Sequence, residues 1–211
     1  MSHAKPLRAI LFDFGNVLIR WDMRNIYGEL FPSAQAVDAF LDEIRFYEWN
    51  ALMDKGLPFS EGVARASSEF PHYAHLFRLF DERWLDTVRE PIEGSVAIAR
   101  RLKEAGHPLY LLSNISEEKF PQARKVHDFL SIFDEFILSS ECGVVKPNPA
   151  IFKFALQRIN RTPAEVVFVD DLIANVEAAR GLGIESIHFL SPAQLETELK
   201  KIGLPAKKEI P

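Results

Sequence analysis

The chain has 211 residues, of which 47% are hydrophobic and 17 are Phe, so it can bury a large core. Its formal net charge is −5 and it contains no Lys/Arg block, which disfavours a nucleic-acid partner. No signal-peptide pattern is visible, and no apolar stretch reaches the roughly 18 residues that a membrane span needs. The single cysteine, Cys142, allows no disulfide within the chain. We therefore expect a cytoplasmic protein with no nucleic-acid or membrane partner, of unknown oligomeric state.

Five short apolar segments, rich in Val, Ile, Leu and Phe, have the character of buried parallel strands. They occupy residues 7–12, 108–113, 136–138, 166–169 and 186–190. Helical patterns alternate with them, including one through Val96 and Leu102 that stops at Gly106. Another follows the cap-and-proline pair Asn148-Pro149. This alternation predicts an α/β fold with a doubly wound, Rossmann-like parallel sheet, in which ligands bind at the carboxyl ends of the strands.

Residues 21–90 differ, because they contain helical patterns and no clear strand. Two apolar stripes recur at helical spacing. The members of the first are Val37, Phe40, Leu41, Ile44 and Tyr47, and those of the second are Tyr73, Phe77, Phe80, Trp84 and Val88. We predict a helical bundle at 21–90, inserted into a core domain formed by residues 1–20 and 91–211.

Polar residues stand at the end of each of the first four strands. They are Asp13, the pair Ser113-Asn114, Lys146 and the pair Asp170-Asp171. If the strands are parallel neighbours, these groups face one crevice. Three crowded carboxylates repel one another, so a divalent cation is their natural occupant, and oxygen ligands favour Mg²⁺. A carboxylate beside Mg²⁺ can attack a phosphate ester and form an aspartyl phosphate. Lys146 would hold the phosphate, together with Ser113 and the backbone N–H of Asn114.

The four motifs, in this order, resemble those of the haloacid dehalogenase superfamily, and the helical insert resembles its first (C1-type) cap class. The resemblance implies that Asp13 is the nucleophile and a metal ligand, and that the Gly15 carbonyl is a second ligand. It implies further that Asp171 binds the metal directly and Asp170 acts through water or Lys146, or the reverse. Asn175 would support the metal-bound waters. The activity implied is Mg²⁺-dependent hydrolysis of a small phosphorylated metabolite.

One position departs from the pattern of that superfamily. Its phosphatases usually carry an Asp two residues after the nucleophile as general acid and base, and here that position is Gly15. The segment DFGNVL, with LSN and KP, resembles the branch that contains α-D-glucose-1-phosphate phosphatase, which shares the glycine. The gap suggests a phosphate that leaves easily, such as that of a sugar 1-phosphate, or a proton supplied by another group such as Asp22.

Several alternatives stay open at this point. A 2-haloacid dehalogenase would use Asp13 on carbon without metal, although the Asp170-Asp171 pair would then oppose a carboxylate substrate. A phosphate-binding pseudoenzyme or regulatory protein is the other alternative. Trp49 and Trp84 belong either to the bundle core, the reading we favour, or to a substrate pocket. Asn50 and Asp54, just before Gly56, either reach the crevice and set specificity or are ordinary loop residues.

Overall fold

The protein is described by a computed structural model that covers residues 8–205. Its centre is one five-stranded sheet in which every neighbouring pair is parallel, in the order β3-β2-β1-β4-β5. The strands are β1 Ala9–Phe12, β2 Leu109–Ser113, β3 Glu135–Leu138, β4 Val166–Asp170 and β5 Glu185–His188. The α/β fold class predicted from the sequence is confirmed.

The predicted strands agree with the structure to within about two residues at each end. Leu7, the predicted start of the first strand, lies outside the described residues. The largest difference is in β5, which ends at His188 rather than at position 190. The chain turns away there because Ser191 caps the following helix, its side chain accepting a hydrogen bond from the Gln194 N–H. Leu190 is consequently exposed rather than part of a buried strand.

Eleven α-helices occur within residues 8–205. They are α1 Arg24–Tyr27, α2 Ala34–Glu43, α3 Phe46–Asp54, α4 Phe59–Glu69, α5 Ala74–Arg83, α6 Glu93–Glu104, α7 Phe120–Val126, α8 Ser139–Cys142, α9 Pro149–Arg158, α10 Ile173–Arg180 and α11 Pro192–Lys201. Short 3₁₀ turns occupy Pro71–Tyr73, Trp84–Val88, Asp128–Ile132 and Pro163–Glu165.

Helices cover both faces of the sheet, as the alternation of side chains along β1 shows. Ile10 and Phe12 belong to one hydrophobic cluster, which includes buried residues of α6, α7 and α11. Ala9 and Leu11 belong to a second cluster, formed with α9 and α10. Because successive side chains of a strand point to opposite faces, β1 is buried on both sides and lies at the centre of the molecule.

The helices α1–α5 all lie between β1 and β2 in the chain, and the interior they share is aromatic. Trp49 and Trp84 are buried there, which confirms the core reading for both side chains. The first predicted stripe was wrong at one end. The helix breaks after α2, where Arg45 takes a left-handed φ of 50°, and the new direction of α3 leaves Tyr47 60% exposed.

The two connections between this helical insert and the sheet run side by side. Arg20 N–H donates a hydrogen bond to the Glu90 carbonyl, and Ile92 N–H donates one to the Leu18 carbonyl. Buried side chains of the insert and of one sheet face form a single hydrophobic cluster. The division into a core of 1–20 and 91–211 and a cap of 21–90 stays a prediction. Within residues 8–205, no helix combines the length and apolar character needed to cross a membrane.

Candidate active site

The sheet register brings Asp13 close to the Asp170-Asp171 pair. Phe12 pairs with Val169, so Asp13 and Asp170 each follow a paired residue on adjacent strands. The Asp13 N–H also donates a 2.9 Å hydrogen bond to the Val169 carbonyl. On the other side, Phe12 pairs with Leu111 of β2, which places Ser113 just beyond Asp13 at the same edge. The predicted site residues therefore meet at the carboxyl ends of the three central strands.

Lys146 lies at the centre of this edge with its side chain buried. Its Nζ atom is 2.8 Å from Asp13 Oδ1 and 2.7 Å from Asp170 Oδ2. It also donates a 3.0 Å hydrogen bond to the Leu112 carbonyl, so all three of its N–H groups have an acceptor within reach. The ammonium group thus joins Asp13 to Asp170 from the loop between α8 and α9.

The two members of the Asp170-Asp171 pair have different environments. Asp170 is fully buried, and its Oδ1 accepts hydrogen bonds from the Leu172 N–H and the Asn175 side chain, while Oδ2 faces Lys146. Asp171 is only partly buried, and the nearby side chain of Asn16 favours its charged form. Both Asp170 oxygens are therefore occupied, which leaves Asp171 as the more available ligand. Asn175 holds Asp170 in place.

In the Ser113-Asn114 pair, the serine hydroxyl is free and the asparagine side-chain amide is hydrogen-bonded. Ser113 is buried, and its Oγ atom makes no hydrogen bond with any residue of the range 8–205, so it is available to a ligand. The Asn114 side chain is committed to the backbone of Lys146, accepting from its N–H at 2.8 Å and donating to its carbonyl at 3.1 Å. The side chain of Asn114 thus positions Lys146, and only its backbone N–H is left for a phosphate.

Burial of like charges shapes the acidity of the site. Burial raises the pKa of Asp13 well above its ordinary value; Lys146 opposes this rise, and Asp170 and Asp171 add to it. The pKa of Asp171 is also raised, by burial first and by Asp170 second. Burial alone would lower the pKa of Lys146, but Asp13 and Asp170 outweigh it and hold that pKa above its ordinary value. One ammonium group therefore faces three carboxylates, which leaves an excess of negative charge.

The residues present fit a divalent cation. One oxygen from each of Asp13, Asp170 and Asp171 can be chosen so that all three lie within 4.8 Å of one another. An all-oxygen set with excess negative charge suits Mg²⁺. Within residues 8–205 this is the only group of three or more Asp, Glu, His or Cys side chains whose ligand atoms lie so close together. Gly15 is partly buried in the loop that follows Asp13, where its carbonyl is a further candidate ligand.

One neighbour of the site, Asn16, was not predicted from the sequence. It adopts a left-handed φ of 54°, a conformation that Asn tolerates, and its Oδ1 accepts a hydrogen bond from the Trp21 N–H. For Asp54 the sequence left open a place in the crevice or in an ordinary loop; it is the last residue of α3, and the charge of Lys146 acts on its pKa. Asp22, which the sequence suggested as an alternative acid, instead accepts a 2.9 Å hydrogen bond from the Arg24 N–H at its Oδ1.

Residues 7–183 match the family model for haloacid dehalogenase-like hydrolases, and the chain belongs to this family. The drimenol cyclase drtB of Aspergillus calidoustus is 29% identical over 222 residues, which cover 96% of this chain and 38% of that protein. The D-ribitol-5-phosphate phosphatase of Bacteroides thetaiotaomicron is 24% identical over 93% of this chain and 98% of its own length. Several curated relatives are longer proteins, and the chain spans about a third of their length.

The fold is shared with solved structures of the same superfamily. A haloacid dehalogenase family enzyme from Bacteroides thetaiotaomicron, crystallised with magnesium and inorganic phosphate, superposes with a TM-score of 0.67 at 23% identity. The match covers 88% of this chain and 95% of that one. A (S)-2-haloacid dehalogenase from Burkholderia cepacia also matches in sequence, at 29% identity over 42% of this chain and 38% of that protein.

Proposed function

We propose that this hydrolase is a Mg²⁺-dependent phosphatase that hydrolyses a small phosphomonoester through an aspartyl phosphate on Asp13. The observation that carries the proposal is the cluster of Asp13, Asp170 and Asp171 oxygens around the buried Lys146. Such a concentration of negative charge is costly to bury unless a cation neutralises it, and the bound cation can then attract an anionic ligand. The phosphatase and the magnesium–phosphate complex among the similar proteins support the same activity.

Each residue has a role that follows from its contacts. Asp13 Oδ1 accepts a 2.7 Å hydrogen bond from the Phe14 N–H and faces Lys146. These two contacts hold the carboxylate at the carboxyl end of β1. Oδ2 has no donor among the described residues and is the oxygen that would attack phosphorus. The Ser113 hydroxyl and the Asn114 N–H would bind the phosphate oxygens, and Lys146 would attract the phosphate through its charge. A bound Mg²⁺, held by Asp13, Asp171, the Gly15 carbonyl and, directly or through water, Asp170, would neutralise charge on nucleophile and phosphate.

The helical insert would act as a cap of the C1 type over this site. The insert follows β1 directly, and its two connections lie together at residues 20 and 90. A cap in this place would exclude water during phosphoryl transfer and admit it for hydrolysis of the aspartyl phosphate. The proposed division is therefore a core of residues 1–20 and 91–211 and a cap of residues 21–90.

For the substrate we propose a sugar 1-phosphate as the first class to test. The proposal rests on the resemblance of the motifs to the branch that contains α-D-glucose-1-phosphate phosphatase, which shares the glycine at position 15. Fold and motif likeness alone do not define a substrate, so the assignment depends on a panel of phosphate esters.

A dehalogenase is the second candidate, because one of the matching proteins has that activity. It would use the same nucleophile on the carbon that bears the halogen. The fully buried Asp170 and the neighbouring Asp171 weigh against it, because without a metal they would repel a carboxylate substrate.

The test is hydrolysis of p-nitrophenyl phosphate with Mg²⁺ and with EDTA. We expect release of p-nitrophenol that requires Mg²⁺ and is lost in Asp13→Asn. The matched control is Asp42→Asn, an exposed aspartate on α2, which should behave as the wild type does. Absence of release with every divalent metal would contradict the proposal, and release of chloride from 2-chloropropionate would then establish the dehalogenase instead.

A further inference from the structure

Hydrolysis of an ordinary phosphomonoester has a requirement that the residues described so far do not meet. The departing oxygen of an alcohol is strongly basic, so its release is slow unless a positioned acid gives it a proton. In an in-line displacement by Asp13, that oxygen lies on the far side of phosphorus, away from β1. Gly15 offers no acid, and Lys146 is held between two carboxylates. The proton has to come from another residue.

Asp54 approaches the site from the insert. It is the last residue of α3, and its backbone carbonyl accepts a hydrogen bond from the Ser139 hydroxyl. The same hydroxyl accepts a 3.0 Å hydrogen bond from the Ile115 N–H, two residues after Ser113. Ser139 is fully buried, so a single side chain joins the end of α3 to the loop that follows Ser113 at the end of β2. A Cβ added to Gly56 would lie 3.2 Å from the Ser140 carbonyl, which shows how closely the two segments approach.

The carboxyl group of Asp54 is fixed at one oxygen and free at the other. Its Oδ2 accepts a 2.9 Å hydrogen bond from Asn50, one turn earlier on α3. Its Oδ1 makes no hydrogen bond with any residue between positions 8 and 205. Two groups act on the Asp54 carboxyl. Asn50 lies on the same helix, and the positive charge of Lys146 acts from the core side. The amide thus orients the carboxyl and leaves one oxygen available to a ligand.

The surroundings of Asp54 favour its protonated form. Burial raises its pKa to about 7, although the hydrogen bond from Asn50 and the charge of Lys146 act in the opposite direction. The negative end of the α3 dipole also disfavours a carboxylate in the last turn. A group with a pKa near the working pH can both give and take a proton, which is what an acid and base catalyst needs.

We propose that Asp54 is the general acid and base of this hydrolase. The inference rests on the phosphatase function proposed above. In the first step the Asp13 carboxylate bonds to phosphorus, the bond from phosphorus to the leaving oxygen breaks, and the proton of Asp54 moves to that oxygen to form the alcohol. In the second step the Asp54 carboxylate takes a proton from the water that attacks phosphorus. The bond between phosphorus and Asp13 breaks, inorganic phosphate forms, and both aspartates return to their starting states.

The test uses aryl phosphates of similar size but different leaving-group basicity, from p-nitrophenyl to p-methoxyphenyl phosphate, with Mg²⁺. A lost proton donor matters little for p-nitrophenolate and much for the more basic phenolates. We expect Asp54→Asn to reduce kcat/KM on p-nitrophenyl phosphate by less than about threefold, and on p-methoxyphenyl phosphate by about 100-fold or more. Asp54→Glu should recover part of the loss, and Glu48→Gln, an exposed acid on the same helix, should lose nothing.

The possible results separate this inference from the proposed function. Equal losses across the series in Asp54→Asn would overturn the role of Asp54 while leaving the phosphatase intact. Inactivity of the wild type on p-nitrophenyl phosphate would overturn both. If Asp54→Asn does not fold, the pH dependence of kcat/KM of the wild type still tests the role of Asp54. Its kcat/KM on p-methoxyphenyl phosphate should fall above about pH 7 more steeply than on p-nitrophenyl phosphate, and parallel profiles would contradict the proposal.

Discussion

The side chain of Asn114 and the backbone of Lys146 exchange two hydrogen bonds. Lys146 N–H donates to Asn114 Oδ1 at 2.8 Å, and Asn114 Nδ2 donates to the Lys146 carbonyl at 3.1 Å. The amide therefore fixes the backbone from which the central ammonium group extends. The Asn114 side chain makes no hydrogen bond to Asp13 or Asp170 within residues 8–205, so this side chain acts on the chemistry through the position of Lys146.

Asn114→Ala should lower kcat by about 10- to 100-fold, because supporting residues of this kind typically contribute that much. Only the placement of Lys146 changes, so KM for p-nitrophenyl phosphate should rise less than kcat falls. Steady-state kinetics at saturating Mg²⁺ measure both. Asn114→Asp, which keeps one acceptor for the Lys146 N–H, should lie between the two proteins. A variant with wild-type kcat would show that the amide is dispensable.

Lys146→Met should destabilise the folded protein strongly. It leaves Asp13 and Asp170 buried without their shared counter-charge, a change that typically costs about 3–5 kcal/mol. Urea unfolding should show this loss in EDTA and a partial recovery in Mg²⁺, since the cation replaces some of the missing positive charge. Lys153→Met, an exposed lysine on α9, is the control and should unfold as the wild type does. If Lys146→Met were as stable as the wild type in EDTA, this explanation by the ion pairs would be contradicted.

The two members of the acidic pair should separate in their effects. Asp171→Asn removes the more available ligand, so Mg²⁺ binding measured by calorimetry should weaken by at least about tenfold while the melting temperature changes little. Asp170→Asn removes a partner of Lys146 and should lower the melting temperature in EDTA. The opposite pattern would assign direct metal binding to Asp170.

The raised pKa of Asp54 makes stability depend on pH in a defined direction. Its pKa is about 7 in the folded protein against 3.8 for the free side chain, so the folded state holds a proton that the unfolded state releases between these values. The free energy of unfolding should therefore fall from about pH 4 to pH 7 and reach its full loss above pH 7, by as much as about 4 kcal/mol. The contribution of Asp54 is the free energy of unfolding of the wild type minus that of Asp54→Asn, measured by urea unfolding at each pH. The corresponding difference between the wild type and Glu48→Gln should not fall with pH.

The sheet and most of the site were predictable because their signals are local. Each strand is a short apolar run, and each site residue directly follows one or lies in the next loop. Asp13 and Asp170 could be placed together because parallel neighbours share an edge. What was not predictable depends on contacts between distant elements. The hydrogen bonds of the Asn114 side chain depend on how the loop at Lys146 folds back.

The insert shows the limits of helical periodicity. The stripe through Val37 and Ile44 fits one helix that continues to Tyr47, yet the chain breaks at Arg45 and turns Tyr47 outward. No glycine or proline marks that break, so the pattern could not reveal it. The same turn sets the direction of α3 and hence the position of Asp54 at the site.

The pairing of β1 with β4 joins positions 9 and 166, so the centre of the sheet is completed by residues from opposite parts of the chain. During synthesis, Asp13 emerges before Asp170 and Asp171 and stays apart from them until the residues between β1 and β4 have been made. Contacts so distant in sequence are slow to form because a long loop must first close. Asp13 in the nascent chain therefore has no acidic partners with which to hold a metal ion, and the cluster is complete only once β4 has paired with β1.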